Sequence, residues 1–177
     1  MPSQPHEQPA PKLAQVLHYV IARTAGLDFG EVKINKAVVA ADSESYRRYG
    51  TTITGAGAFQ KQQFGPVPNG VLKALAALRR AGKISPNPVQ TPSGERQEYV
   101  SLSEPDLSGF SAGEIDVINL AIAGLQRISA VVASNRTHDA LWDETPMFGQ
   151  ISIPAAAFQP SKVISDDVLS WALSDRE

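Results

Sequence analysis

Residues 110–136, FSAGEIDVINLAIAGLQRISAVVASNR, form the longest run in this chain with a helical distribution of apolar side chains. Ser111 followed by Glu114 is a capping-box pattern, in which hydroxyl and carboxylate satisfy backbone N–H groups at a helix start. Placed at about 100° per residue, the isoleucines, leucines and valines cover most of the circumference, and such a helix needs protein on nearly every side. The sequence therefore predicts a buried central helix over about residues 111–136. The polar residues that interrupt the run argue against a membrane span.

The length and composition of the chain indicate a single domain. Its 177 residues suit one hydrophobic core. With 16 basic and 18 acidic residues, no global charge favours nucleic acid or an anionic membrane surface. The absence of cysteine excludes disulfides and thiolate zinc sites, and the first residues lack the pattern of a signal peptide. We expect a cytoplasmic protein without a membrane segment, a metal site or a cofactor.

The ends of the chain differ from its middle. Residues 1–11 contain four prolines and no apolar periodicity, which predicts a disordered tail. The folded domain is predicted over residues 12–160. Residues 161–177 are predicted to form a short C-terminal helix or tail.

The second predicted helix runs from Glu31 to Tyr49 and ends at Gly50, which would adopt a left-handed cap. Asp42 falls inside the apolar arc of this helix, where a carboxylate has to be paired or hydrogen-bonded. We interpret Asp42 as a structural anchor that holds the following loop through its backbone N–H groups. A catalytic acid is the alternative interpretation, although no partner base lies nearby in the sequence.

The segment after this helix contains a β-prone run over residues 51–54, on which residues 59–64 are predicted to pair. The following residues 64–68, FGPVP, contain two prolines around one valine. These prolines predict an extended turn outside regular structure that feeds the next helix.

A third helix is predicted from Val71 to just before Gly82, followed by strands at 84–90 and 97–102 that form a small β-hairpin over about 84–102. The fold class is therefore α+β, mainly α, and partly similar to a winged helix. A winged helix can place basic residues in a DNA groove. Basic residues on such a fold are more often simply exposed to solvent, however. The candidate DNA-binding residues are Lys73, Arg79, Arg80, Lys83 and Arg96.

His138 beside Asp139 has the residue types of a catalytic triad. Adjacent residues point in different directions, however, and neither a serine in a strained elbow nor a cysteine accompanies them. Helix capping and packing on Trp142 are the favoured interpretation. We therefore expect no enzyme, and a hydrolase that uses Asp42 and His138 is the alternative.

Several separated segments together point to one family. They are Ile34-Asn35-Lys36, Ala41-Asp42, residues 46–50, Ile53-Thr54-Gly55, residues 64–68, and Thr137-His138-Asp139 with Trp142 and Gly149. Over about residues 12–155 the chain resembles the Panacea domain, also called SocA-like antitoxins. It departs from the family at Ala37-Val38-Val39, where Leu-Leu-Tyr is usual.

The resemblance implies a prokaryotic or phage antitoxin that neutralises a cognate toxin by direct binding and, in one branch of the family, delivers the toxin to a protease. It implies no catalytic residues and does not identify the toxin. An alternative is a DNA-binding regulator of its own promoter, and the two roles can coexist. The resemblance gives a structural or partner-facing role to motif residues, among them Asp42, Thr54, Thr137, His138 and Trp142.

The surface predicted to bind the toxin is the proline-containing loop within residues 59–69. Rigid prolines lower the ordering cost of binding, and aromatic side chains can act as anchors. The predicted contact residues are Phe59, Phe64, Gly65, Pro66, Val67 and Pro68.

Overall fold

A computed structural model describes residues 11–92 and 94–159 of the chain. The predicted N-terminal tail, apart from Pro11, and the predicted C-terminal helix or tail lie outside the described residues. The helices are α1 (Leu13–Arg23), α2 (Glu31–Tyr49), α3 (Val71–Arg80), α4 (Ala112–Gln126), α5 (Ala130–Thr137), α6 (Ala140–Glu144) and α7 (Ile153–Phe158). The strands are β1 (Ala58–Gln62), β2 (Gly65–Pro68), β3 (Ile84–Thr91), β4 (Gly94–Ser101) and β5 (Gln150–Ser152). The predicted fold class, α+β and mainly α, is confirmed.

Helix α2 is the central element of the fold. It packs against α1, α4, α5, α7 and strand β2. Eleven of its residues are buried, and these include the polar side chains of Lys33, Lys36 and Asp42. Its predicted bounds are confirmed, because Gly50 adopts φ 73° and its N–H donates to Tyr46 O at 2.8 Å.

The prediction of one buried central helix over 111–136 is wrong. The segment forms two helices, α4 and α5, whose axes differ by 115°. Helix α4 buries only Val117, Ile118 and Ile122, whereas Leu120 is 56% exposed. The break has a local cause, since Ser129 caps a new helix by accepting a hydrogen bond from Val132 N at 3.2 Å.

The apolar pattern of this segment misled the prediction because it does not distinguish buried from exposed apolar side chains. The capping box itself is confirmed, with Glu114 N donating to Ser111 Oγ and Ser111 N donating to the Glu114 carboxylate. No single helix in the described part of the chain is long and apolar enough to cross a membrane. Only α4 and α5 together reach that length and composition, and the bend separates them.

Strands β3 and β4 form the predicted hairpin, with Ile84 opposite Ser101 and Thr91 opposite Gly94. The gap between the two predicted strands, residues 91–96, is longer than the observed turn, because β4 already begins at Gly94. The hairpin follows α3 directly, as in the predicted winged-helix outline.

Strands β2, β1 and β5 form a three-stranded antiparallel sheet in the order β2-β1-β5. Two predictions fail here: residues 51–54 form no strand, and Gly65–Pro68 is regular structure that pairs with β1. Prolines are tolerated in β2 because it is an edge strand, whose outer N–H groups need no partner strand. The sheet carries a small second core of Val39, Phe59, Ile151 and Ile153, beside the main core formed by α1 to α4 and the base of the hairpin.

Candidate functional site

Asp42 and Thr54 form a buried anchor between α2 and the loop that follows it. Asp42 is fully buried, and its Oδ1 accepts a hydrogen bond from Thr54 N at 3.0 Å. Its Oδ2 accepts from Thr54 Oγ1 at 2.5 Å, and Thr54 Oγ1 accepts from Ala56 N at 3.1 Å. Burial raises the pKa of Asp42 to about 6, against the opposing effect of the hydrogen bonds from Thr54. The predicted structural anchor is confirmed.

His138 packs on Trp142, as the sequence indicated. Their rings stack at a centroid distance of 3.8 Å with 12° between the planes. Asp139 caps α6 by accepting a hydrogen bond from Trp142 N at 2.9 Å. The interpretation of these residues as capping and packing groups is therefore confirmed.

Lys61 supports this pair from the sheet and was not singled out from the sequence. Its Nζ lies 3.8 Å from the centroid of the Trp142 ring and donates to Trp142 O at 2.6 Å and Thr145 O at 2.8 Å. A cation in that position is attracted to the face of the indole ring. The only sequence signal for the role of Lys61 was the two-residue alternation of side chains in β1. This alternation places Lys61 on the same face of the strand as the buried Phe59.

Lys36, Gly65 and Thr137 meet where α2, β2 and α5 come together. Lys36 is 3% exposed, and its Nζ has no hydrogen-bond partner among the described residues. Gly65 has φ 109°, and a Cβ at this position would lie less than 3.0 Å from Lys36 Nζ and from Thr137 Oγ1. A glycine is therefore required so that the backbone can pass beside the ammonium group. Burial lowers the pKa of Lys36 to about 7.

Lys36 lines a cleft of about 380 Å³, which we call the Lys36 cleft. Its polar lining includes Lys36, Arg47, Arg136, Asp139 and Trp142, and neither Asp42 nor His138 is among the lining residues. Its apolar lining includes Val39, Leu120, Leu125, Ile128, Leu141 and Ile151. Sequence analysis missed this cleft because its walls come from α2, α4, α5, α6 and the sheet, which are distant in the chain.

The structure contradicts the prediction that the proline-containing segment is held out as a docking loop. Phe59 is fully buried, and Gly65, Pro66 and Pro68 are buried as well. Because β2 pairs with β1, this segment lies beside the second core instead of projecting into solvent. Val67 is half-buried, and Phe64, in the turn between the strands, is 55% exposed.

Phe64 has exposed apolar neighbours that the sequence did not reveal. Met147 is 49% exposed and Phe148 is 61% exposed. Phe148 N donates to Lys61 O at 3.1 Å, which places Phe148 beside the end of β1 that leads into the Phe64 turn. We call Phe64, Met147 and Phe148 the sheet-end patch.

Phe148 has an unusual backbone conformation. Its φ of 65° is left-handed, and it is the only described residue other than glycine with a positive φ. A bulky side chain in this region is strained, and such strain is concentrated at functional sites. The turn that contains this residue leaves the ring of Phe148 61% exposed.

The predicted DNA-binding residues lie on two elements, with Arg96 on β4 and the other four on α3 and the turn after it. Lys73, Arg79, Arg80 and Lys83 are exposed on α3 and the turn after it. Arg96 instead forms ion pairs with Asp28 and Glu98, so its charge is already compensated.

The described residues contain no group of three or more histidine, cysteine, aspartate or glutamate side chains that could hold a metal ion.

Comparison with protein families gives one match. The family model described as "Antitoxin SocA-like, Panacea domain" matches residues 34–143, which include the Asp42 anchor, Lys36, β2 and Trp142. No curated protein and no solved structure matches the chain. Because the family match covers more than half of the sequence, this chain belongs to the SocA-like antitoxins that carry a Panacea domain.

Proposed function

We propose that this protein is the antitoxin of a toxin–antitoxin pair and neutralises its cognate toxin in the cytoplasm by direct protein–protein binding. Family membership supports an antitoxin-type role. The sheet-end patch is the observation that supports direct binding, because it presents three large apolar side chains to solvent, one of them on the strained residue Phe148.

The sheet-end patch has the composition of a protein-binding surface. Aromatic residues and methionine are enriched in interfaces, and aromatic anchors often contribute most of the binding energy. All three residues lie in turns next to the paired strands, and the hydrogen bond from Phe148 N to Lys61 O ties one of these turns to β1, which lowers the ordering needed on binding. We therefore infer that the toxin contacts Phe64, Met147 and Phe148.

A binding role is also favoured over an enzymatic one by the state of the two candidate catalytic residues. Asp42 is bonded to Thr54, and His138 is stacked on Trp142. Delivery of the bound toxin to a protease would be an extension of the same role.

Co-expression with the product of the neighbouring gene tests the proposal. The neighbouring product should arrest growth when expressed alone, and this protein should restore growth and co-purify with it. A neighbouring product that is harmless alone, or that remains toxic in the presence of this protein, would refute the antitoxin function.

Variants of the sheet-end patch test the binding surface. Phe64→Asp and Phe148→Asn should weaken rescue and reduce co-purification at least tenfold, because both remove an apolar anchor. Asparagine tolerates the left-handed backbone of residue 148, so this variant should fold. Leu72→Asp is the matched control, since Leu72 is 71% exposed on α3. Equal rescue by the patch variants and the control would exclude this surface.

The second role, regulation of its own promoter, is favoured only by the four exposed cations on α3 and the following turn. DNA binding through these residues would be strongly salt-dependent. A gel-shift experiment with the promoter should then show a complex that weakens on replacement of Arg79 and Arg80 by glutamate. Absence of a salt-sensitive complex would rule this role out.

A further inference from the structure

The Lys36 cleft has the size and lining of a small-molecule site. Its volume of about 380 Å³ falls within the roughly 300–1,000 Å³ range of ligand pockets. Such pockets combine mostly apolar walls with a few polar groups that orient the ligand. Here α4 and α6 supply apolar walls through Leu120, Leu125 and Leu141, and α2 supplies Lys36.

Two buried hydrogen-bond donors at this cleft lack acceptors. Lys36 Nζ and Trp142 Nε1 each have no hydrogen-bond partner among the described residues. An ammonium group and an indole N–H can donate but cannot accept, so they cannot satisfy one another. Buried donors are normally paired, and an exception needs an explanation such as a missing ligand. A ligand that satisfies both has to supply an acceptor.

The charges around the cleft favour an anionic acceptor. Arg47 is already paired with Glu44, and Lys36 Nζ forms no ion pair with Asp139, the carboxylate that lines the cleft, among the described residues. Arg136 is exposed at the cleft and adds a second cation beside Lys36. The charge of Lys36 is therefore left uncompensated within a buried environment, and an anion would compensate it. The lowered pKa of Lys36 agrees with this environment.

We propose that the Lys36 cleft binds a small organic anion, whose carboxylate or phosphate group accepts hydrogen bonds from Lys36 Nζ and Trp142 Nε1 while its apolar part packs against the α4 wall. Thr137 Oγ1 is not a donor to this ligand, because it donates to Ser134 O at 2.8 Å. None of the three residues of the sheet-end patch lines the Lys36 cleft, so the proposed anion binding does not depend on the proposed toxin binding.

Titration of the purified full-length protein with benzoate, phenyl phosphate and benzamide tests this proposal. The three probes share an aromatic ring, and only benzamide lacks a charge. The indole N–H signal of Trp142 is followed by two-dimensional NMR and assigned with Trp142→Phe, since the chain contains two tryptophans. We expect benzoate or phenyl phosphate to shift this signal saturably with Kd of about 1 mM or tighter. The tighter of the two identifies the anionic group.

Two variants separate the role of Lys36 from a general effect of charge. Lys36→Met should weaken binding of the anionic probe at least tenfold, because it removes the charged donor. Lys73→Met removes one charge from the exposed face of α3 and should leave Kd unchanged. Equal binding of benzamide and benzoate, unchanged binding by Lys36→Met, or absence of saturation by either anion would overturn the proposal. These titrations contain no toxin, so their failure would leave the antitoxin function untouched.

Discussion

Replacement of Lys36 by methionine should stabilise the protein near neutral pH and much less at alkaline pH. Lys36 is 3% exposed and unpaired among the described residues, and burial lowers its pKa from 10.5 to about 7. Between these two values the unfolded chain binds more protons than the native protein, so native stability rises with pH across this window. Below pH 7 the destabilisation by the buried ammonium is fully present.

The size of the stabilisation by Lys36→Met follows from the same two pKa values of Lys36. Removing the ammonium group should raise the free energy of unfolding by about 4 kcal/mol at pH 7 and by about 1 kcal/mol at pH 9.5. Methionine keeps most of the length and apolar volume of the side chain, so no large cavity forms. Urea unfolding of both proteins at the two pH values, in a buffer free of phosphate and carboxylates, measures the difference.

Lys33→Met is the matched control on the same helix. Lys33 is 2% exposed, but its Nζ donates to Asp28 O at 2.8 Å and lies 3.8 Å from the Asp28 carboxylate. Its replacement should destabilise the protein by about 1–3 kcal/mol. A loss of stability in Lys36→Met, or a gain that is equal at both pH values, would refute the reasoning because it would mean that the ammonium is paired or solvated.

Four further substitutions test the residues that hold the site, and one of them, Gly124→Ala, is the control for Gly65→Ala. Asp42→Asn should destabilise the protein by about 1–3 kcal/mol in urea unfolding, because the amide nitrogen that replaces Oδ2 cannot accept the hydrogen bond that Thr54 Oγ1 donates. Gly65→Ala should destabilise it by about 2 kcal/mol or more, owing to the positive φ and the clash with Lys36. Gly124→Ala in α4, where a Cβ meets nothing within 4 Å, should instead stabilise by about 0.5–1 kcal/mol. Lys61→Met should lower the free energy of unfolding by about 1–3 kcal/mol and alter the near-ultraviolet circular dichroism of Trp142.

The sequence predicted those features that depend on local rules. The ends of α2, the Ser111–Glu114 capping box and the β3–β4 hairpin follow from glycine, hydroxyl and turn positions that act within a few residues. The anchoring role of Asp42 followed from its place in an apolar arc, although its partner Thr54 lies twelve residues away. These features need no knowledge of tertiary packing.

The errors arose where tertiary pairing overrides local preference. The proline-containing β2 was predicted to be irregular, but an edge position lets it pair with β1. The 110–136 segment was predicted to be one helix, because apolar periodicity does not show that Ser129 restarts the helix in a new direction. The Lys36 cleft has walls from elements far apart in sequence, so no local pattern could indicate it.

The positions of the family motifs suggest how this fold separates stability from recognition. The motif residues Lys36, Asp42 and Gly65 are buried, and contacts within the chain explain the roles of Asp42 and Gly65. They therefore fix the scaffold and the cleft, and they cannot contact a toxin while the chain stays folded in this way. The exposed side chains of Met147 and Phe148 lie outside the motifs that identify the family. If the toxin binds the sheet-end patch as proposed, exchanging Met147 should alter which toxin is bound while leaving the free energy of unfolding within about 0.5 kcal/mol, whereas exchange of Phe148 also changes the strain of its left-handed backbone.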